Sequence, residues 1–211
     1  MFITSTRQLE EINLLGICLK KCPTICNMFD LILHNNNSNY NTDIANRYFN
    51  NLPIKTKTFI HEKENPGYVA GSIDALHRHY NKLYAYDYVL HIHADVFPIK
   101  EDTLLQILKD NLHNDYSLLI SRSGIRDIPS CGLQSDFYIF KPSKIDRNFF
   151  SGNNALTTLE DTIYKRLTDF NINYLWIPRY KDDYYGGHIP DEIGFWHTHN
   201  LDEVANFLKI T

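Results

Sequence analysis

The sequence lacks any run of apolar residues long enough to cross a bilayer, which takes about 18 or more. It also lacks a basic segment followed by an apolar one near its start. Positive charge is not in excess, because 21 lysines and arginines stand against 25 aspartates and glutamates, giving a net charge of −4. These absences predict a soluble cytoplasmic protein with no membrane span, and they argue against nucleic acid as a partner.

Cysteine is scarce, with four residues in a chain of 211. Cys18, Cys22 and Cys26 are spaced by four, but Pro23 interrupts the helical face that they would share. We therefore expect reduced, mostly buried thiols rather than a zinc site. A chain of this length can bury a substantial core without crosslinks.

Short apolar stretches alternate with segments whose apolar residues recur at helical spacing, as Ile73, Leu76 and Tyr80 do. Alternation of strand and helix predicts an α/β domain with a mostly parallel sheet covered on both faces. Strands are predicted at 2–4, 29–33, 56–60, 89–92, 116–121, 136–140 and 174–177, and the last helix at 201–209.

Turn-forming and helix-breaking residues help to predict four further features of the chain. Pro23 is expected to end the first helix, and residues 44–49 suggest a short helix. A long polar loop is expected at 123–132, and a mobile flap at 181–187.

The most informative stretch is the strand at 89–92, which ends abruptly in polar side chains. Val89, Leu90 and Ile92 suit a strand covered on both faces, while His93 and Asp95 fall where the chain leaves the sheet. Ligands of open α/β sheets bind outside the carboxyl ends of the strands. The sequence therefore predicts a functional site around His93 and Asp95.

Four short motifs carry a resemblance to a known family. They are the glycine-rich segment 65–71, His93-Ala94-Asp95 in the place of an Asp-x-Asp motif, the acidic pair 160–161, and Trp196-His-Thr-His199. With these the chain resembles the glycosyltransferases of the GT-A fold, and more narrowly the small glycosyltransferase domains of large algal (chlorella) DNA viruses. The motifs span nearly the whole chain.

The resemblance implies a GT-A-like α/β/α sandwich with a mixed, mainly parallel central sheet. Residues 1–211 would form a single domain, with 1–100 as the nucleotide-sugar-binding half and 101–211 as the acceptor and catalytic half. The chain is then either a whole protein or the first module of a longer one.

The resemblance also implies a divalent metal ion, Mn²⁺ or Mg²⁺. Asp95 is the expected first ligand, and a C-terminal histidine the second, either His197 or His199, with His197 slightly favoured. One carboxylate with one imidazole suits Mn²⁺. His93 replaces the family's first Asp, so we expect it to bind the donor, for example at a diphosphate oxygen. The alternative is that the C-terminal histidines are surface or capping residues.

A catalytic base is implied by the acidic pair of the inverting members. The resemblance implies that Asp161 accepts the proton of the acceptor hydroxyl, and Glu160 and Asp136 are the alternative candidates. Acids in the first turn of a helix are favourable without catalysis, so a purely structural role stays open.

Donor contacts follow from the same resemblance. They are expected at the ends of the first two strands and at the start of the helix that follows the third. The candidates are Ser5, Thr6, Arg7, Asn35 or Asn36, Gly71 and Ser72.

The implied function is a metal-dependent, inverting transfer of a hexosyl or deoxyhexosyl group, glucose or rhamnose, to a hydroxyl of a glycan or glycoprotein acceptor. UDP is the expected nucleotide, and the host cytoplasm the expected location if the chain is viral. Two alternatives stay open. One is a zinc metallohydrolase using His91-x-His93-x-Asp95, although Val96 stands where that motif needs a further histidine. The other is a non-catalytic domain that binds sugar nucleotides.

Overall fold

The computed structural model describes residues 1–5, 9–35, 47–62, 68–123, 133–153, 155–180 and 194–209. In chain order the strands and helices are β1 Phe2–Ser5, α1 Leu9–Lys20, α2 Pro23–Met28, β2 Leu31–Asn35, β3 Lys57–His61, α3 Tyr68–Leu83, β4 Val89–His93, β5 Val96–Pro98, α4 Glu101–Asn111, β6 Leu118–Ser123, β7 Leu133–Phe140, α5 Leu159–Asp169, β8 Tyr174–Tyr180, β9 Phe195–His197 and α6 Leu201–Leu208. Two short 3-10 helices, Pro142–Lys144 and Arg147–Phe150, follow β7.

Seven of these strands belong to a mixed, mainly parallel sheet, which confirms the predicted α/β fold class. The chain divides into two compact units. The first comprises Met1–Glu64, His93–His113 and Tyr184–Thr211, and the second Asn65–Ile92 and Asn114–Asp183. Among the described residues, no helix is long and apolar enough to cross a membrane.

The first unit contains three parallel strands in the order β3-β2-β1. Leu33 of the middle strand is in register with Ile3 on one side and Phe59 on the other. All five residues of β2 are buried, as expected of a strand covered on both faces. Parallel pairing brings the carboxyl ends of all three strands to one edge of the sheet.

A two-stranded antiparallel ribbon of β5 and β9 also lies in the first unit. The chain enters β9 through Gly194, which has a φ of 86°. Its carbonyl accepts hydrogen bonds from the backbone N–H groups of Ile99, at 2.7 Å, and Lys100, at 3.0 Å. A Cβ at Gly194 would lie 2.5 Å from the Lys100 carbonyl oxygen, so this position requires glycine.

The second unit contains β4, β7, β6 and β8 in that order. β7 runs antiparallel to β4 and β6, whereas β6 and β8 are parallel. Its core is aromatic, with the Phe140 and Phe150 rings 4.7 Å apart and Phe149 packed edge-on against Phe150. The Tyr80 hydroxyl of α3 donates to the backbone carbonyls of Pro142, at 2.5 Å, and Ile145.

The first two helices differ from the sequence prediction at Pro23, whereas the cysteines agree with it. Pro23 does not simply end the first helix: α1 ends at Lys20, and Pro23 opens the short helix α2, because proline's fixed φ suits the first helical turn. Cys18, Cys22 and Cys26 are free and buried, as predicted. Of the expected short helix at 44–49, residues 47–49 are helical and 44–46 lie outside the described residues. Residues 124–132 of the expected polar loop and 181–187 of the expected flap also lie outside them.

Candidate metal centre and surrounding residues

The position of Asp95 is fixed by backbone hydrogen bonds within the first unit. It lies in the turn between β4 and β5, where the N–H of Ala94 donates to the carbonyl of Thr4 at 2.9 Å. Antiparallel pairing then places Val96 opposite His197. The N–H of Thr198 donates to the Asp95 carbonyl at 3.4 Å. The ribbon therefore brings the C-terminal histidines to Asp95.

Asp95, His197 and His199 form one side-chain cluster. The Asp95 Oδ2 atom lies 3.6 Å from His197 Nε2 and 3.4 Å from His199 Nδ1. The two imidazole rings are nearly perpendicular, with centroids 5.2 Å apart. The side chain of Asp95 is 11% exposed and that of His197 7%, whereas that of His199 is 58% exposed. Two members of the cluster are thus held in the interior and the third is open to solvent.

This cluster fits a divalent metal ion. Two ligand atoms that each lie about 2.1 Å from one ion are at most about 4.2 Å apart, and the distances from Asp95 Oδ2 to His197 Nε2, 3.6 Å, and to His199 Nδ1, 3.4 Å, satisfy that limit. The ligand atoms of all three side chains lie within 4.8 Å of one another, so a small movement of the exposed His199 is enough for the three to share one ion. A carboxylate with two imidazoles suits Mn²⁺ or Zn²⁺ better than Ca²⁺. A cation also compensates the charge of a carboxylate that is largely withdrawn from water.

His91 and His93 have different surroundings. His91 is fully buried on β4, and its ring packs against Tyr138, with centroids 4.5 Å apart. His93 is half-buried at the end of β4. Within the described part of the chain, neither belongs to a group of three metal-competent side chains. The arrangement therefore offers no support for a zinc site built on His91 and His93.

The candidate bases lie in the second unit. Thr158 caps α5, since its side-chain oxygen accepts the backbone N–H of Asp161 at 3.1 Å. Glu160 accepts a hydrogen bond from the Ser135 hydroxyl, while Asp136 is buried on β7. Asp161 is half-buried in the first turn of the helix. Because a hydroxyl already provides the cap, the Asp161 carboxylate is not needed for that purpose.

The predicted donor-binding residues are only partly described. Thr6, Arg7 and Asn36 lie outside the described residues, and of Ser5 only the backbone, at the end of β1, is described. Asn35 is buried at the end of β2. Gly71 and the buried Ser72 fall within the first turns of α3, which starts at Tyr68.

The first unit also contains a histidine–glutamate pair that was not predicted from the sequence. His34, fully buried on β2, stacks on Phe2 with ring centroids 6.2 Å apart. Its Nε2 lies 3.4 Å from Glu62 Oε1, and the Glu62 N–H donates to the Asn35 carbonyl at 2.8 Å. The sequence does contain a sign of this pair, because polar residues stand at the carboxyl ends of the adjacent strands β2 and β3. Their carboxyl ends form the edge at which such sheets bind ligands.

No protein-family model matches the chain, and no curated protein matches it either. Solved structures do match. A mannosyltransferase from Pyrobaculum calidifontis, in complex with GDP-Man and Mn²⁺, matches with a TM-score of 0.54 and 15% identity. The match covers 84% of this chain and 54% of that one, so this chain spans about half of the mannosyltransferase.

Two further structures match at similar levels. Mouse xyloside xylosyltransferase 1 has a TM-score of 0.51 and 9% identity, covering 83% of this chain and 84% of that one. A Bacillus anthracis protein named as a glucose-1-phosphate thymidylyltransferase, in complex with a sucrose, has a TM-score of 0.59 and 9% identity. That match covers 100% of this chain and 95% of the other. At these identities the likeness concerns the fold, and the chain has the GT-A-like α/β fold found in nucleotide-sugar transferases and nucleotidyltransferases.

Proposed function

We propose that this protein is a metal-dependent glycosyltransferase that uses a nucleotide-diphosphate sugar as donor. The observation that carries the proposal is the cluster of Asp95, His197 and His199, in which a buried carboxylate meets two imidazoles within 3.6 Å. It follows directly after the carboxyl end of β4, where open α/β sheets bind their ligands. The shared fold of known nucleotide-sugar transferases supports the same class.

Asp95, His197 and His199 would hold the ion, with Mn²⁺ favoured and Mg²⁺ as the alternative. A bound divalent ion neutralises the negative charge that develops on the departing diphosphate. His93 contacts the diphosphate side of the donor in this proposal. The nucleotide is held by Ser5, Thr6, Arg7, Asn36, Gly71 and Ser72, to which we add the His34–Glu62 pair.

Asp161 is the proposed base. It accepts the proton of the acceptor hydroxyl as that oxygen attacks the anomeric carbon from the side opposite the leaving group, which inverts the configuration. Glu160 is a weaker candidate because its carboxylate already accepts a hydrogen bond from Ser135.

The finer assignments rest on the sequence resemblance. They are UDP as the nucleotide, a hexosyl or deoxyhexosyl group as the transferred sugar, and a glycan or glycoprotein as the acceptor. The same resemblance supports four further proposals. They are a donor half at 1–100, an acceptor half at 101–211, a viral origin and action in the host cytoplasm.

The proposal is tested by incubating the full chain with UDP-, GDP- and dTDP-sugars, with Mn²⁺ or with EDTA, and identifying the products by NMR. We expect one donor to release its nucleoside diphosphate, only with Mn²⁺. Asp95→Asn, which removes the charge but keeps the shape, should lose this release. The anomeric configuration of the released or transferred sugar reports inversion directly.

Two outcomes would replace the proposal. Pyrophosphate release from a nucleoside triphosphate and a sugar 1-phosphate, without release from any nucleotide sugar, would identify a nucleotidyltransferase, a class with the same fold. Zinc copurifying with the chain, together with no reaction of any sugar nucleotide, would favour a hydrolase.

A further inference from the structure

A cavity of about 450 Å³ lies within the second unit, along one side of α5. Its volume falls in the range of roughly 300–1,000 Å³ that is usual for small-molecule sites. The predicted donor and metal residues do not line it. Its walls come from α5 and the adjoining Phe170, from Asn148 of the 3-10 helix Arg147–Phe150, and from Ser151, Asn153 and Leu156.

One wall is polar and rich in groups that both donate and accept hydrogen bonds. Asn148 and Asn153 contribute amides, and Ser151 contributes a hydroxyl. Both asparagines are exposed, so their amides can be reached from solvent. Sugar hydroxyls need this mixture, since each hydroxyl is donor and acceptor at once.

The two basic residues of the cavity are already engaged. Lys165 forms an ion pair with Asp169, one turn further along α5. Arg166 is buried, and it donates from Nη1 to the Phe149 carbonyl at 2.7 Å and from Nη2 to the Asn153 carbonyl at 3.0 Å. Arg166 therefore holds the wall in shape. This arrangement favours a neutral ligand over an anion.

The lining of the cavity also includes exposed apolar side chains. Five large hydrophobic side chains are exposed in the part of the chain that the structure describes, and two of them, Leu156 at 42% and Phe170 at 36%, line this cavity. The Phe170 ring packs edge-on against Phe149, with centroids 5.9 Å apart, which fixes its orientation. An aromatic face beside hydrogen-bonding side chains suits a pyranose ring, whose C–H face is apolar and whose rim is polar.

We propose that this cavity is a carbohydrate-binding site that takes one neutral pyranose residue of a glycan, stacked on Phe170 and hydrogen-bonded by Asn148, Ser151 and Asn153. The site needs neither metal nor nucleotide. It adds a second place at which this protein binds sugar, and it stands whether or not the proposed transferase reaction is correct.

The test is an NMR titration of the isotopically labelled full chain, without metal or nucleotide, with the methyl glycosides of glucose, galactose, mannose, xylose and rhamnose. We expect at least one glycoside to shift the backbone amide signals of Ser151 and Asn153 in a saturable way. Phe170→Leu keeps an apolar side chain but removes the aromatic face, so it should bind about fivefold more weakly. Tyr84→Leu is the matched control, because Tyr84 is another exposed aromatic of this unit that does not line the cavity.

The same spectra show whether Phe170→Leu is folded. If it is not, Asn153→Ala replaces it, and this variant too should bind the glycoside about fivefold more weakly than the wild type. Absence of saturable shifts with every glycoside would overturn the proposal, as would equal binding by the wild type and both cavity variants. Inorganic phosphate is titrated in the same way as the glycosides. If phosphate shifts these signals and no glycoside does, the cavity is an anion site and the proposal is wrong.

Discussion

At the scale of single residues, Asp95 is a carboxylate that is largely withdrawn from water and bordered by two imidazoles that differ in exposure. A buried charge of this kind is stable only when a cation or strong hydrogen bonds compensate it. His197 is held within the fold, so its ring is already in place. His199 is exposed, so it would lose side-chain freedom if it bound an ion.

Replacing either histidine should weaken metal binding. We expect His197→Ala and His199→Ala each to lower Mn²⁺ affinity at least about tenfold, because each removes one ligand of the cluster. His113→Ala is the control, since His113 is an exposed histidine of the same unit outside any metal-competent group. Titration of free Mn²⁺ by electron paramagnetic resonance measures the affinity. Unchanged affinity in both variants would show that the ion binds elsewhere or not at all.

The Tyr80 hydroxyl offers a residue-scale test of the second unit. Burial raises the pKa of Tyr80 to about 12, and its hydroxyl serves the carbonyls of Pro142 and Ile145. Tyr80→Phe should cost about 1–2 kcal/mol of stability, because it leaves those carbonyls without this donor. Urea unfolding of the variant gives the value. Tyr84→Phe, at an exposed tyrosine, should change stability little, and an equal loss in both variants would contradict this assignment.

At the scale of elements, the ribbon of β5 and β9 brings together the three side chains of the candidate metal site. Each strand has three residues, and the register of Val96 with His197 carries the C-terminal histidines to Asp95. Neither strand is long enough to show a period of two. Their pairing joins distant parts of the chain, so no local pattern predicts it.

Gly194→Ala tests the ribbon. The positive φ and the Cβ contact of 2.5 Å with the Lys100 carbonyl predict a loss of about 1–3 kcal/mol in stability. Mn²⁺ affinity should fall as well, because Gly194 leads directly into β9. Urea unfolding and Mn²⁺ titration measure the two effects.

Gly152→Ala is the matched control, since its Cβ would come no closer than 3.2 Å to Asp74, a contact that a small shift relieves. It should leave Mn²⁺ affinity unchanged. A wild-type Mn²⁺ affinity in Gly194→Ala would show that the ribbon does not position the cluster.

The elements also show what could be predicted from the sequence. The apolar run at 89–92 predicted a buried strand, and β4 is that strand and ends at His93. The function of the edge around His93 and Asp95 stays a prediction. The beginning of α2 was missed, since Pro23 was interpreted only as a helix stop. His34 and Glu62 were missed because their partnership depends on the parallel register of β2 and β3, which the sequence does not state.

At the scale of the whole molecule, three buried thiols link stability to pH. Burial raises the pKa of Cys18 and Cys22 to about 12 and that of Cys26 to about 11, from an ordinary value of 9.0. The fold therefore holds these thiols protonated. Their contribution to stability is complete below the ordinary pKa, and it declines as the pH rises from 9.0 through 11 and 12.

The same burial predicts that iodoacetamide does not label these three cysteines at neutral pH until the chain is unfolded in urea. Mass mapping of the alkylated peptides checks each position separately. Replacement of all three by alanine should also remove part of the loss of stability above pH 9. Rapid labelling of the native chain at these positions would contradict the buried, protonated assignment.

We propose that this fold carries a metal-dependent nucleotide-sugar site built on Asp95. Calorimetric titration of UDP, dTDP and GDP into the full chain, with Mn²⁺ and with EDTA, tests it most directly when repeated on Asp95→Ala. We expect one of the three nucleotides to bind, and its binding to require both Mn²⁺ and the Asp95 carboxylate. Equal binding in EDTA, or equal binding by Asp95→Ala, would contradict it.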